Sequence, residues 1–177
     1  MIKKNRKFMY SLLAIFLLSL FTSNAMANFV GEQKVSILKQ GDACPDFAFR
    51  DTADNKISIS SLKGHYVFID VWASWCYPCR KELPYLESLE DEMKDKNIYF
   101  LSLSLDKSLW RWKGALSGLK MKGLQWNVLD DDFEKVFDIA TIPRFILLDS
   151  TGKIIQIRMT APSKKETLDY LLSLNNI

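Results

Sequence analysis

A strand that runs directly into two cysteines and then into a helix is the feature that most constrains this chain. The strand is the segment YVFIDVW at residues 66–72. Its nearly continuous apolar, β-branched and aromatic side chains are typical of a central strand covered on both faces. Cys76 and Cys79 follow in ASWCYPC, and leucines at helical spacing then predict an amphipathic helix over residues 76–94. This succession predicts an α/β domain.

The rest of the chain continues the alternation of strands and helices. Further strands are predicted at residues 46–50 and 56–59, as an N-terminal hairpin, at 98–105, and in two antiparallel runs of RFILLDSTGKIIQIRM joined by a turn at 150–152. Further helices are predicted at 109–119, at 133–139 after the capping candidates Asp130, Asp131 and Asp132, and at 163–174 after a cap at Ser163. A strand, a helix and a strand in succession imply a right-handed parallel crossover.

The first residues have the pattern of an export signal. Basic residues precede the apolar run FMYSLLAIFLLSLF, and Ala25 and Ala27 provide the small residues of a cleavage site. The run of roughly 14 residues is shorter than the ~20 that span a bilayer. Residues 1–27 are therefore predicted to be a signal peptide, with an uncleaved membrane anchor as the alternative. A polar segment at 28–40 and one domain at 41–177 would follow, in the periplasm or another extracytoplasmic space.

The positive charge of the chain belongs to this leader. The chain has 24 Lys and Arg against 21 Asp and Glu, and residues 1–27 contain four of the basic residues and none of the acidic ones. The remainder has 20 basic and 21 acidic residues, a net charge of −1. Because nucleic-acid binding needs a concentrated basic surface, that class of function is excluded.

The cysteine pair could bind a metal, form a structural disulfide that stabilises the fold, or exchange electrons with other thiols. A structural zinc site needs four ligands, and the chain offers three cysteines and one histidine, His65. We therefore predict neither a metal nor a bound cofactor. A structural disulfide is the second alternative. A link between Cys76 and Cys79 closes a very short loop, however, so it removes little conformational entropy from the unfolded chain and stabilises the fold little. Redox exchange fits the context best, because Cys76 would lie where free N–H groups and the helix dipole favour a thiolate.

The two cysteines would then have different roles. Cys76 is the expected nucleophile, and Cys79 would attack the resulting mixed disulfide and release the partner. Cys44, the third cysteine, is interpreted as an inert, partly buried thiol rather than a regulatory partner.

Three segments together resemble the thioredoxin superfamily and, within it, the secreted TlpA/ResA-like branch. They are GDACPDFAF, FIDVWASWCYPCRKELP and TIPRFILLD, and the resemblance extends from about residue 41 to the end. It implies a thioredoxin fold, with a central mixed sheet flanked by helices and an N-terminal hairpin extension. It also implies a cis peptide bond before Pro143, which would face the cysteines while the Ile142 backbone bonds an incoming chain.

The resemblance also implies acidic residues near the cysteines. Asp70 occupies the position of a buried acid that could accept the proton of Cys79; a strand-end aspartate in water is the alternative. Glu82 matches a functional glutamate of ResA-like proteins, the alternative being a solvated helix residue. Arg80 and Lys81 are expected to face water rather than to stabilise the thiolate.

Aromatic residues around the pair suggest a docking surface. Trp75, with Tyr77 and Pro78 between the cysteines, is expected to contact substrate, whereas Trp72 is expected in the core. The segment SLWRWKGALSGLKMKGLQW carries three more tryptophans; core packing is favoured for them over partner docking. His65 is interpreted as a loop residue, not as a catalytic base.

The predicted function is therefore thiol:disulfide oxidoreduction outside the cytoplasm by a monomer that cycles Cys76 and Cys79. Its partners would be cysteine-containing secreted proteins, apocytochrome c being one candidate, and a transmembrane electron donor. Reduction rather than oxidation is expected, because neither Tyr77 nor Pro78 is a cation that would over-stabilise the thiolate. Two alternatives are a binding module with a structural disulfide and a thiol peroxidase; the chain lacks the Thr-x-x-Cys site that peroxide reduction would require.

Overall fold

A seven-stranded sheet organises residues 36–177, the part of the chain that the structure, a computed structural model, describes. Its strands are β1 (Ala48–Arg50), β2 (Lys56–Ser58), β3 (Tyr66–Trp72), β4 (Ile98–Ser104), β5 (Leu124–Val128), β6 (Arg144–Leu148) and β7 (Ile154–Met159). They lie in the order β2-β1-β5-β4-β3-β6-β7. The central pairs β3–β4 and β4–β5 are parallel, and the outer pairs are antiparallel. The mixed sheet of the predicted thioredoxin fold is thus present.

Four α-helices and one 3-10 helix connect the strands. They are α1 (Tyr77–Glu92), α2 (Leu109–Leu119), α3 (Phe133–Val136) and α4 (Lys165–Leu172), with the 3-10 helix at Ile59–Leu62. The crossover from β3 through α1 to β4 joins two parallel neighbours, as the alternating pattern predicts.

The core forms two apolar layers, one on each face of the sheet. Side chains alternate between faces along a strand, so Val67, Ile69 and Val71 of β3 join the layer that includes Phe133 and Phe137. The layer on the opposite face contains apolar residues of β3, β4 and β6 with the inner faces of α1 and α4; its buried members are Phe68, Leu86, Leu89, Met93, Ile98, Phe100, Phe145, Leu147 and Leu171. Burial on both faces accounts for the continuous apolar pattern of β3.

Three sequence predictions about elements need correction. Strand β5 lies in a segment where no strand was predicted, because a glutamine and an asparagine interrupt its apolar pattern. The helix predicted at 133–139 ends at Val136, and Asp132, although at its N-cap position, makes no side-chain capping bond. Helix α4 begins at Lys165 after an N-cap at Lys164, so the predicted cap at Ser163 is wrong.

The predicted signal peptide at residues 1–27 lies outside the described residues, as does most of the polar segment at 28–40. Residues 36–40 contain no helix or strand, and the Leu38 N–H donates to the Val136 carbonyl at 2.8 Å. Among residues 36–177, the helices are all too short or too polar to cross a membrane.

Candidate active site

Cys76 and Cys79 lie where β3 gives way to α1. Cys76 is the N-cap residue of α1, and its Sγ accepts the Cys79 N–H at 3.1 Å. The two sulfurs are bonded, with 5.3 Å between the Cα atoms. The residues are 4% and 2% exposed. A sulfur at this position faces the free N–H groups of the first helical turn, which stabilise negative charge on Cys76 in the reduced state.

An apolar cluster encloses the cysteine pair. Trp72 at the end of β3 and Trp112 on α2 are fully buried in it, together with Ala73. Ile142 packs against the same cluster, and the peptide bond that joins it to Pro143 is cis. The structure therefore brings the Ile142–Pro143 segment to the cysteines from a position more than sixty residues away in sequence.

A buried carboxylate fixes the loop that carries the nucleophile candidate. Asp106, just beyond β4, accepts hydrogen bonds from the Ser74 N–H at 2.8 Å and from the Ser74 hydroxyl at 2.7 Å. It also accepts one from the Ser104 hydroxyl at 2.8 Å, and the Asn127 amide donates to the Asp106 carbonyl. Ser74 lies two residues before Cys76, so this network holds the cysteine loop against the ends of β4 and β5.

Removal of the Asp106 carboxylate is expected to destabilise the protein. In Asp106→Ala the half-buried Ser74 and the buried Ser104 lose their acceptor, at a cost of about 3 kcal/mol in the free energy of unfolding. Asp106→Asn is the matched control: its one oxygen and one amide can still bond both serines, so a loss of only about 1 kcal/mol is expected. Urea unfolding measures both variants, and equal losses would contradict a role for these bonds.

Asp70 is buried on the strand that leads into the cysteine loop. It lies on β3 and is 3% exposed, so the alternative in which it points to water is wrong. Desolvation, with a smaller contribution from the charge of Glu82, raises the pKa of Asp70 to about 7, and the Ser102 hydroxyl partly offsets the rise. A carboxyl group with such a pKa can accept or release a proton near neutral pH.

Glu82 is fixed by a contact with the segment that precedes α4. The Ser163 N–H and the Ser163 hydroxyl donate to its two oxygens, each at 3.0 Å. This bond replaces the predicted capping role of Ser163. Glu82 is half-buried, and its negative charge acts on Asp70. Its part in the chemistry remains a prediction.

The two aromatic residues on either side of Cys76 in the sequence are exposed. Trp75 and Tyr77 are 65% and 60% exposed. Arg80 and Lys81 are exposed, as predicted, and both lie over the Tyr77 ring, with the Lys81 Nζ 4.9 Å from its centroid. A groove of about 640 Å³ has Trp75, Thr141 and Ile142 among its lining residues.

The remaining candidates separate into core and surface. Trp112 and Trp126 are buried as predicted, but Trp110 is 83% exposed. Cys44 is half-buried, and burial raises the pKa of its thiol to about 12, which agrees with an inert thiol. His65 lies in the turn before β3 and stacks on Tyr99 with ring centroids 4.3 Å apart.

Within residues 36–177, no group of three or more His, Cys, Asp or Glu side chains could hold a metal ion. Sequence reasoning missed Asp106 and Ser74, and it assigned Ser163 to a helix cap rather than to the contact with Glu82. A polar residue immediately after a buried strand was the available signal for Asp106, but its partners could not be identified without knowing which strands are neighbours.

Comparison with known proteins places this geometry among thiol-disulfide enzymes. The family model described as Redoxin matches residues 39–172. The thiol-disulfide oxidoreductase ResA of Bacillus subtilis is 27% identical over 174 residues, which cover 96% of this chain and 93% of that protein. ResA of Bacillus thuringiensis subsp. konkukian is 30% identical, with 81% of each chain covered.

Solved structures have the same fold. The thioredoxin domain of a thiol-disulfide oxidoreductase from Bacteroides vulgatus has a TM-score of 0.67 and 30% identity, and the match covers 76% of this chain and 96% of that one. A thiol:disulfide interchange protein from Bacteroides sp. has a TM-score of 0.68 and 29% identity, with 76% and 88% covered.

Proposed function

From the premise that this chain belongs to the redoxin family and is a TlpA/ResA-like thiol-disulfide oxidoreductase, we propose that it reduces disulfides of other proteins outside the cytoplasm. The observation that carries the proposal is the bonded Cys76–Cys79 pair at the N-terminus of α1. The buried carboxyl of Asp70, on the strand that leads to the pair, supports it. No bound cofactor is needed, because two thiols supply both electrons.

The reaction follows from the placement of the two sulfurs. In the reduced protein the Cys76 thiolate attacks a partner disulfide, forms a mixed disulfide and expels one partner thiolate. Cys79 then loses its proton to the Asp70 carboxylate and attacks the Cys76 sulfur. This second exchange forms the Cys76–Cys79 disulfide and releases the second partner thiolate. The partner gains two electrons, and the enzyme loses two.

The docking surface in this proposal comprises Trp75, Tyr77, Pro78, Ile142 and Pro143. Two exposed rings beside a buried disulfide can pack against an incoming chain, and the groove between Trp75 and Ile142 has room for an extended segment. The proposed partners are cysteine-containing secreted proteins, apocytochrome c among them. The leader-like residues 1–27 support the extracytoplasmic site of action, and a reductant there requires a transmembrane electron donor.

Turnover of insulin with a dithiol donor tests the activity. We expect the protein to accelerate insulin reduction, whereas a binding module with a structural disulfide would give no acceleration. A parallel assay with hydrogen peroxide should show no comparable consumption, and efficient peroxide turnover would favour the thiol peroxidase instead.

The reduction potential tests the direction of the reaction. Arg80 and Lys81 are exposed and lie over Tyr77, so solvent screens their effect on the thiolate. We expect equilibration against glutathione to give a potential closer to the value of about −270 mV typical of thioredoxin than to the value of about −120 mV typical of DsbA. A value above about −170 mV would show that the protein is an oxidant. Cys44→Ser serves as the control and should give the same potential.

A further inference from the structure

A row of buried polar side chains crosses the sheet from Asp70 toward the surface. In the parallel strands, Asp70 of β3 is the register partner of Ser102 of β4, and Ser102 is the partner of Gln125 of β5. Register partners point to the same face of a sheet. The three residues are 3%, 4% and 8% exposed, so the row interrupts an otherwise apolar layer beneath α1.

The row ends at a cavity that polar and apolar side chains line together. Ser102 and Gln125 line a cavity of about 50 Å³, together with Leu83, Leu86 and the acidic residues Glu87 and Glu90 of α1. This volume exceeds the ~10–15 Å³ that one water molecule requires. The Gln125 Oε1 atom is buried and accepts no hydrogen bond from residues 36–177. A buried acceptor facing such a space is a binding partner for water.

The outer end of the cavity is charged. Lys122 lines it and forms an ion pair with Glu87, with Nζ 2.6 Å from the carboxylate oxygen. Glu87 lies eleven residues beyond Cys76 along α1, roughly 16 Å at the helical rise. A partner docked over Trp75 and Tyr77 would cover the cysteines but leave this side open.

We propose that Ser102 and the waters of this cavity, held by Gln125, form the path by which Asp70 exchanges protons with solvent. The inference rests on the proposed function, in which Asp70 accepts the Cys79 proton and must lose it before the next turnover. Asp70 passes its proton to the Ser102 oxygen as the Ser102 hydroxyl gives its own proton to a cavity water. Ser102 ends unchanged, and the proton leaves between Glu87 and Lys122.

Hydrogen–deuterium exchange of the Asp70 carboxyl group tests the path without requiring turnover. The oxidised protein is mixed into D₂O buffer at a pH where Asp70 is protonated, and the infrared C=O band of the neutral carboxyl is followed with time. Asp70→Asn identifies the band by its loss. The matched pair is Ser102→Thr and Ser102→Val, which have nearly the same shape and differ in the hydroxyl group.

We expect wild type and Ser102→Thr to exchange at similar rates, and Ser102→Val to exchange at least about tenfold more slowly. Gln125→Met, which removes the water-binding amide at a similar length, should also slow exchange by about tenfold and remains a test if Ser102→Val does not fold. Equal rates in all variants overturn the proposal. Slow exchange in Ser102→Thr overturns it too, because packing would then be the cause, and fast exchange in Gln125→Met overturns the cavity as the exit.

The same measurement separates this inference from the proposed function. If the wild-type protein does not reduce insulin but exchange of the Asp70 carboxyl is slow in Ser102→Val, the proposed function is refuted and the path is established. An active protein whose exchange is unaffected in Ser102→Val and Gln125→Met keeps its function, and the path is refuted.

Discussion

Cys76→Ser is expected to abolish disulfide reduction, with a fall in kcat/KM of more than about 10³-fold, because it removes the attacking sulfur. Cys79→Ser is expected to abolish turnover as well, because it blocks a later step. In this variant Cys76 still attacks a partner disulfide, but no thiol at position 79 can release the partner. The partner should therefore remain bound as a mixed disulfide. Non-reducing electrophoresis followed by mass spectrometry measures the trapped species and identifies the partners.

Cys44→Ser is the matched control for both variants. Its thiol lies outside the pair, and its raised pKa leaves it protonated at neutral pH, so turnover should equal that of wild type. The same substitution, combined with Cys79→Ser, ensures that any trapped partner is bonded to Cys76. Trapping by Cys76→Ser but not by Cys79→Ser would reverse the assigned roles.

Asp70→Asn is expected to slow the release of partner and to stabilise the fold at the same time. In wild type, the rate at which Cys79 resolves the mixed disulfide should rise with pH through about 7, as Asp70 ionises. The variant lacks this proton acceptor, so the rate should fall by about 10²-fold or more and lose this pH dependence. Single-turnover kinetics of a preformed mixed disulfide measure both effects.

The stability effect follows from the raised pKa of Asp70. The unfolded state loses its proton near pH 4, and the folded state retains it until about pH 7. Between these values the folded state binds more protons, so the free energy of unfolding falls as pH rises through this window and levels off above it. Asp70→Asn has no carboxyl group to ionise, so its free energy of unfolding does not fall in this way. Above pH 7 it should exceed that of wild type by up to about 4 kcal/mol, less the cost of burying an amide.

Two further variants test whether these effects come from Asp70 itself rather than from another acidic residue. Asp91→Asn, on the exposed side of α1, should change neither the rate nor the pH dependence of stability. Glu82→Gln removes the like charge that helps to raise the Asp70 pKa, so the midpoint of the rate profile should move to lower pH. A pH profile that survives in Asp70→Asn would remove Asp70 from the proton transfer.

The sequence by itself determined the unit that runs from β3 through the cysteines to α1. The apolar run of β3, the helical spacing of leucines in α1 and the position of Cys76 between them are local patterns, and local backbone preference and burial periodicity suffice to interpret them. The resemblance carried by the same segments supplied the fold, and the bounds of β3 and α2 agree with those expected.

Only the tertiary structure decided the environment of the cysteines. Asp70 is buried because β4 and β6 flank its strand in the sheet and α1 packs on one face of that strand, and its pKa depends on this desolvation. Ser74 bonds Asp106 across 32 positions, and Glu82 bonds Ser163 across 81. Such contacts depend on which strands and helices become neighbours in the fold. The spacing of residues along the chain does not reveal which elements those are. The same reason explains why Trp112 is buried and Trp110 exposed on one helix: the neighbouring layer, rather than the residue type, determines which ring loses contact with water.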